Sequence, residues 1–197
     1  MANTYLTRTP ASAGNRKIWT YSVWVKRSKV GASQGIISSD SARGYVYFRT
    51  EDDIQIEQYS GGDEYSINTS RLFRDTSAWY HIVVAFDTTQ GTASNRIKLY
   101  VNGVQETSFD KTTYPSQNFD TNWNSAVSHT IGSINTGYYF DGSMSHVHFI
   151  DGTAYDASAF GETDTTTGEW KAKTSPSVTY GNNGFFILKD GNSVTDQ

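Results

Sequence analysis

The sequence predicts an all-β chain, an antiparallel β-sandwich of two sheets, and three observations carry that expectation. From Trp79 to Asp87 apolar residues fill both parities, with Tyr80, Ile82, Val84 and Phe86 on one face and Trp79, Val83 and Ala85 on the other. A strand so patterned is buried on both sides. From Ile97 to Val101 the pattern instead alternates strictly, Ile97, Leu99 and Val101 against Lys98 and Tyr100, which marks a strand covered on one face. Asn102-Gly103 then supplies the φ > 0 pair of a tight hairpin turn, so Val104 folds back on this strand. Composition agrees: aromatic residues at 14%, charged residues at only 18%, and three prolines among 17 glycines describe sheets with many turns. The expected core is Trp79, Ile82, Val84, Phe86, Leu99 and Val101, nearly fully buried between the sheets.

The remaining elements follow in order. Residues 1–17 are polar apart from Tyr5-Leu6 and read as an edge strand followed by a loop. Trp19 to Lys26 alternates Trp19, Tyr21, Val23 and Val25 against Thr20, Ser22, Trp24 and Lys26, a strand with its odd face inward. After a polar loop from Arg27 to Gln34 come short strands at 35–39, 45–50, 54–59 and 65–73, punctuated by Ala42-Arg43-Gly44, Glu51-Asp52-Asp53 and Gly61-Gly62-Asp63. Phe109 to Val127 reads as one long polar loop carrying Tyr114, Pro115, Phe119 and Trp123, long enough to suggest function. Strands resume at 128–134 and 139–150, where a slip of parity between Met144 and Val147 predicts a bulge. Asp156 to Phe160 fits one helical turn. Gly161 to Pro176 is a loop anchored by Trp170, and Asn183-Gly184 turns into a last strand, 185–189.

The net charge of −4, with no cluster of Lys and Arg, excludes a nucleic-acid surface, because counterion displacement from phosphates needs concentrated positive charge. Zero cysteines exclude disulfides and thiolate metal sites. No apolar h-region opens the chain, and no later window is long and apolar enough to span a bilayer as a helix. The expectation is a chain that is not exported by a signal of its own and does not insert in a membrane.

WYHIVVAF followed by IKLYVNG resembles the signature hairpin of the laminin-G-like, concanavalin A-like jelly-roll domains, and WTYSVWVK, HTIGS and YYFDGSMSHVHFID resemble their opening and closing strands. Ser145 and His146 stand where such domains often have acids, so no role of those acids carries over. The resemblance implies a single jelly roll over residues 1–197, with a core at 19–151 and a C-terminal extension at 152–197. Segments 140–162 and 182–186 are similar to phage virion and tail-fibre proteins that carry such a module. KDGNSVTDQ at 189–197 resembles the lead-in to a further domain, so continuation of the natural chain is an expectation.

Four chemistries compete for the polar residues. Glu51, Asp53 and Glu57 match a Glu-x-Asp-x-x-x-Glu spacing, which in retaining glycosidases of this fold places two carboxyls about 5 Å apart. Glu51-Asp52-Asp53 also has the composition of a hairpin turn, and that account is preferred, so the chain is expected not to be an enzyme. His146 and His148, two apart on a strand, could reach one metal but lack a visible third ligand, and His81 is expected to be a hydrogen-bonded core histidine. No cofactor is expected. Calcium is the alternative, through Asp120 with Asn122, Asp141, Asp151, Asp190 and Asp196, although turn carboxylates usually accept local N–H bonds instead.

Glycans need aromatic faces for their C–H surfaces and planar polar groups for their hydroxyls. Trp123 with Asn122 and Asn124, Tyr114, Tyr138-Tyr139 beside Asn135, and Tyr59 with Tyr65 are the candidates. Trp123 is expected at the exposed end of the long loop, a buried anchor being the competing account. The functional expectation is a non-catalytic virion module, part of a phage fibre or receptor-binding protein that binds host-surface glycans. The alternatives are a capsid decoration protein binding other virion subunits and, third, a concanavalin A-like glycoside hydrolase. Assembly in the host cytoplasm, a place in the phage particle and an oligomer within it complete the expectation.

Overall fold

A computed structural model describes residues 3–39, 43–134, 137–189 and 193–197. In chain order the first strands are β1 (Leu6–Arg8), β2 (Ile18–Arg27), β3 (Gln34–Ser39), β4 (Gly44–Phe48) and β5 (Ile54–Tyr59). Next come β6 (Asp63–Thr69), β7 (Tyr80–Asp87), β8 (Ile97–Val101), β9 (Val104–Gln105) and β10 (Phe109–Thr113). The chain closes with β11 (His129–Ile131), β12 (Gly142–Asp151), β13 (Gly161–Thr163), β14 (Trp170–Ala172) and β15 (Phe185–Ile187). Seven strands form the front sheet in the order β1-β11-β3-β4-β5-β6-β10, six form the back sheet as β15-β12-β2-β7-β8-β9, and β13 pairs with β14 in a separate hairpin. The two large sheets face each other as an antiparallel jelly-roll sandwich.

Alternation places the core. Trp19, Tyr21, Val23 and Val25 of β2 and Ile82, Val84 and Phe86 of β7 point inward with Ile97, Leu99 and Val101 of β8. They meet Val46, Phe48, Ile54, Ile56 and Ile67 of the front sheet, and Trp19 stacks on Phe86 at 4.6 Å. At roughly 25 cal/mol for each Å² of apolar surface withdrawn from water, this interface is the main source of stability.

The outer parity of β7 explains the doubly apolar pattern. His81, Val83 and Ala85 are buried too, because the C-terminal extension lies across the back sheet: Val83 packs with Ile150, Ala157 and Phe160. Ala157–Ala159 is a 3₁₀ turn capped by the Asp156 carboxylate, which accepts the Ser158 N–H. Asn102 and Gly103 hold φ of 48° and 83°, the left-handed pair that closes β8 onto β9. The register of β12 against β2 shifts between Ser145 and His148, and His146 at φ 48° occupies the bulge that the parity slip predicts.

Three expectations are corrected. Trp79 is not core: β7 begins at Tyr80, and Trp79, on the outward parity, remains 40% exposed. The segment 109–127 is not wholly loop, since its first five residues form β10 on the edge of the front sheet. The segment 161–176 likewise contains the β13–β14 hairpin, with Trp170 as its anchor.

Candidate functional site

Among the described residues, the predicted glycan residues do not assemble into one exposed surface. Trp123 is 1% exposed, which corrects its expected place at a loop tip. Its ring packs on Trp19 at 5.3 Å and near His129 at 6.1 Å, and its Nε1–H donates to the Tyr65 hydroxyl at 2.9 Å. The loop therefore turns inward to close the sandwich edge. Asn124 is also buried: its Nδ2 donates to Asp151 Oδ1 at 2.6 Å and to the Asn15 carbonyl, and its Oδ1 accepts from Asn183 Nδ2 at 2.9 Å. Asn122 is half-buried with its N–H on Gln58 Oε1, and Tyr114 packs against the core. Tyr138 is exposed at φ 46° and Tyr59 is exposed, while Tyr65 is core. Asn135 lies outside the described residues.

The acidic candidates are bound to the fold. Asp151 accepts the Asn15 N–H at 2.8 Å, Asn124 Nδ2 and the Asn183 N–H, so its carboxylate joins the N-terminal segment, the long loop and the extension. Asp196 accepts the Phe186 N–H, Asp120 is exposed, Asp141 is half-buried, and Asp190 lies outside the described residues. Among the described residues no three His, Asp or Glu side chains converge as a metal site.

Glu51 and Asp52 form the turn between β4 and β5, closed by the Asp52 N–H donating to the Arg49 carbonyl. Asp52, at φ 72°, is held by the buried Arg27 at 3.1 Å and by the Gly31 N–H. Glu51 thus sits outside the strand, ion-paired with Arg49 in solvent. Glu57 lies on the outer face of the front sheet, where burial pushes its carboxyl above the usual range and neighbouring Asp63 adds to the rise. Polar groups on that face bond to one another: the Tyr47 hydroxyl to Gln55 Oε1, and Gln55 Nε2 to Ser66 Oγ.

The bulge also separates the two histidines expected on one face. His148 is buried, stacked on Phe186 at 3.9 Å and bonded through Nδ1 to the Tyr180 hydroxyl, whereas His146 pairs its Nδ1 with Ser145 Oγ. His81 is a fully buried, hydrogen-bonded histidine as expected. An indole N–H can only donate, so the 2.9 Å bond from Trp170 Nε1 makes His81 Nδ1 the acceptor and leaves the proton on Nε2, facing Ser22 Oγ at 2.9 Å. Burial depresses the His81 pKa to about 3, keeping the ring neutral for this role.

That bond helps build the open cleft of about 630 Å³ on the outer face of the back sheet. Trp24 from β2, Trp79 ahead of β7 and Trp170 from β14 supply its aromatic walls. Asn102, Ser145, His146, Glu169 and Lys171 supply its polar rim. Trp24 stacks on His81 at 4.9 Å, and Trp170, hydrogen-bonded to the edge of the same imidazole, has its centroid 6.0 Å away, both rings within 26° of parallel to it, so the histidine sets the spacing of two walls. Trp170 is further seated by two glycines: a Cβ at Gly103 would lie 2.7 Å from its ring, and one at Gly161 would lie 2.4 Å away. Gly103 therefore serves both the hairpin turn and the indole behind it.

The signal for this site was present as tryptophans on outward parities, Trp24 on β2 and Trp79 before β7. What sequence could not supply was Trp170, brought 89 positions back to His81 by the extension.

A family model described as the concanavalin A-like lectin/glucanases superfamily matches residues 2–158. The chain belongs to that superfamily. The matched span contributes Trp24 and Trp79, and the extension beyond it contributes Trp170. Among solved structures the superfamily fold recurs in a candidate carbohydrate-binding protein from Bacteroides ovatus, at TM-score 0.57 and 17% identity over 77% of this chain and 42% of that one. It recurs in the heptameric SAP-like pentraxin of Limulus polyphemus, at TM-score 0.50 and 14% identity over 76% and 70% of the two chains. The binding domain of botulinum neurotoxin DC, solved with rat synaptotagmin II, matches at TM-score 0.50 and 13% identity over 77% and 37%. This chain thus spans less than half the length of the first of these. No curated protein matches the sequence.

Proposed function

We propose that this protein is a non-catalytic glycan-recognition module whose binding site is the Trp24–Trp79–Trp170 cleft. The observation that carries the reading is the convergence of three indoles on one open cleft rimmed by amide, hydroxyl, imidazole, carboxylate and ammonium groups. Indole faces match the C–H surfaces of sugars, and the rim matches their hydroxyls. Membership of a superfamily that includes lectins, and the shared fold of the Bacteroides ovatus protein, support it. The absence of catalysis is supported by Glu51, which lies in a solvated turn away from the strand that carries Glu57. The likeness of segments 140–162 and 182–186 to phage virion and tail-fibre proteins supports a place on a phage particle, in a fibre or receptor-binding protein facing host glycans.

Trp79 provides the cleanest test because it is half-open to solvent and outside the core. Trp79→Ala should weaken glycan binding about tenfold, equivalent to about 1.4 kcal/mol, with little change in melting temperature. Unchanged affinity on a glycan array would remove the cleft from consideration. Release of reducing ends from β-glucans, carrageenans or agarose, abolished by Glu57→Gln, would replace recognition with catalysis.

A further inference from the structure

We infer that the cleft selects uncharged glycans and rejects those bearing carboxylate, sulfate or phosphate groups. This rests on the glycan reading above and adds to it the class of ligand.

The argument is one of charge balance at the rim. Glu169 is exposed at the cleft and has no cationic partner among the described residues. Lys171, the lysine on the rim, is already engaged: its Nζ lies 2.8 Å from Asp164 and 3.9 Å from Glu162. Asp164 is itself fixed by the N–H groups of Thr166 and Thr167, and its ion pair with Lys171 holds its carboxyl below the ordinary range. His146 shares its Nδ1 with Ser145 Oγ. Lys26, next on the Trp24 face of β2, is not among the residues that line the cleft, and Asp75, whose carboxyl is held low chiefly by the Ser77 hydroxyl and N–H, feels a weaker attraction from it. Among the described residues that line the cleft there is no arginine.

An anionic sugar entering here would place its charge beside Glu169 without a fork of guanidinium donors to receive it, and such like-charge contact disfavours binding. Rejection of one class by a placed repulsive group is a common origin of specificity. Neutral sugars meet suitable partners instead. The Glu169 carboxylate can accept hydrogen bonds from hydroxyls, and Asn102, whose Oδ1 accepts the His81 backbone N–H at 2.7 Å, retains its amide N–H₂ to donate to a hydroxyl oxygen.

The test uses the full chain and tetrasaccharides of matched length: cellotetraose, xylotetraose and chitotetraose as neutral probes, tetragalacturonate and a hyaluronan tetrasaccharide as acidic ones. Calorimetry at low and high salt should show at least one neutral probe binding tenfold or more tightly than either acidic probe at low salt. The gap should narrow at high salt and in Glu169→Gln, and Trp79→Ala should weaken the neutral probe. Equal or tighter binding of an acidic probe, or a gap indifferent to both salt and Glu169→Gln, overturns the inference while leaving glycan recognition intact. Failure of Trp79→Ala to weaken any probe overturns the glycan reading of the cleft and this inference with it.

Discussion

Lowering the pH from 7 to 5 should remove up to about 4 kcal/mol of folding stability, through two histidines that the extension covers. His81 and His148 are 0% and 1% exposed, and burial depresses the pKa of each to about 3. In the unfolded chain each titrates near about 6.5, so between these two values the unfolded state binds protons that the native state refuses. Stability therefore rises with pH across this window, is fully present above the unfolded value, and is lost progressively below it. Integration from pH 7 to 5 yields about 2 kcal/mol for each histidine. Glu57 and Asp53, whose pKa values burial raises, take up protons in the native state and oppose the trend, so about 4 kcal/mol is an upper figure. Urea melts followed by tryptophan fluorescence at both pH values measure the difference, and His148→Phe should halve it by keeping the stacked volume while deleting the titration. Stabilities equal within about 1 kcal/mol, or a pH dependence unchanged in His148→Phe, would refute the reasoning.

Trp123→Ala should cost about 3 to 5 kcal/mol of stability, since it empties a core site between Trp19 and Tyr65, while the affinity of the folded fraction for a neutral glycan stays the same. Gly161→Ala should displace the Trp170 ring, abolish cleft binding and shift indole emission, with a far smaller loss of stability than Trp123→Ala because the hairpin is peripheral. Leu99→Ala should cost about 2 to 5 kcal/mol in a denaturant melt, as expected for a side chain 1% exposed between two sheets.

Local physics made much of this fold legible. A period of two decides which side chains of β2 and β8 face inward, because successive residues of a strand point to opposite faces whatever lies around them. Asn102-Gly103 declares its turn because few other pairs tolerate two positive φ values. The slip before Val147 announces its bulge by the same parity argument, and the doubly apolar β7 correctly demanded a cover on its outer face without saying what the cover was.

Tertiary structure decided the rest. Whether an aromatic in a loop meets solvent depends on segments far away in sequence, and Trp123 is buried because Trp19 and Tyr65 close over it from two different strands. Trp79 shows the converse, an aromatic beside the doubly buried β7 that stays open because its parity faces outward. The cleft depends most on distance along the chain: Trp24 and His81 meet across β2 and β7, and Trp170 arrives from the extension to hydrogen-bond the same imidazole. Strand parity alone put Trp24 and Trp79 on outward faces; only the packing of the extension onto the back sheet brought Trp170 to them, since a contact between distant residues is fixed by the whole fold and by no local pattern.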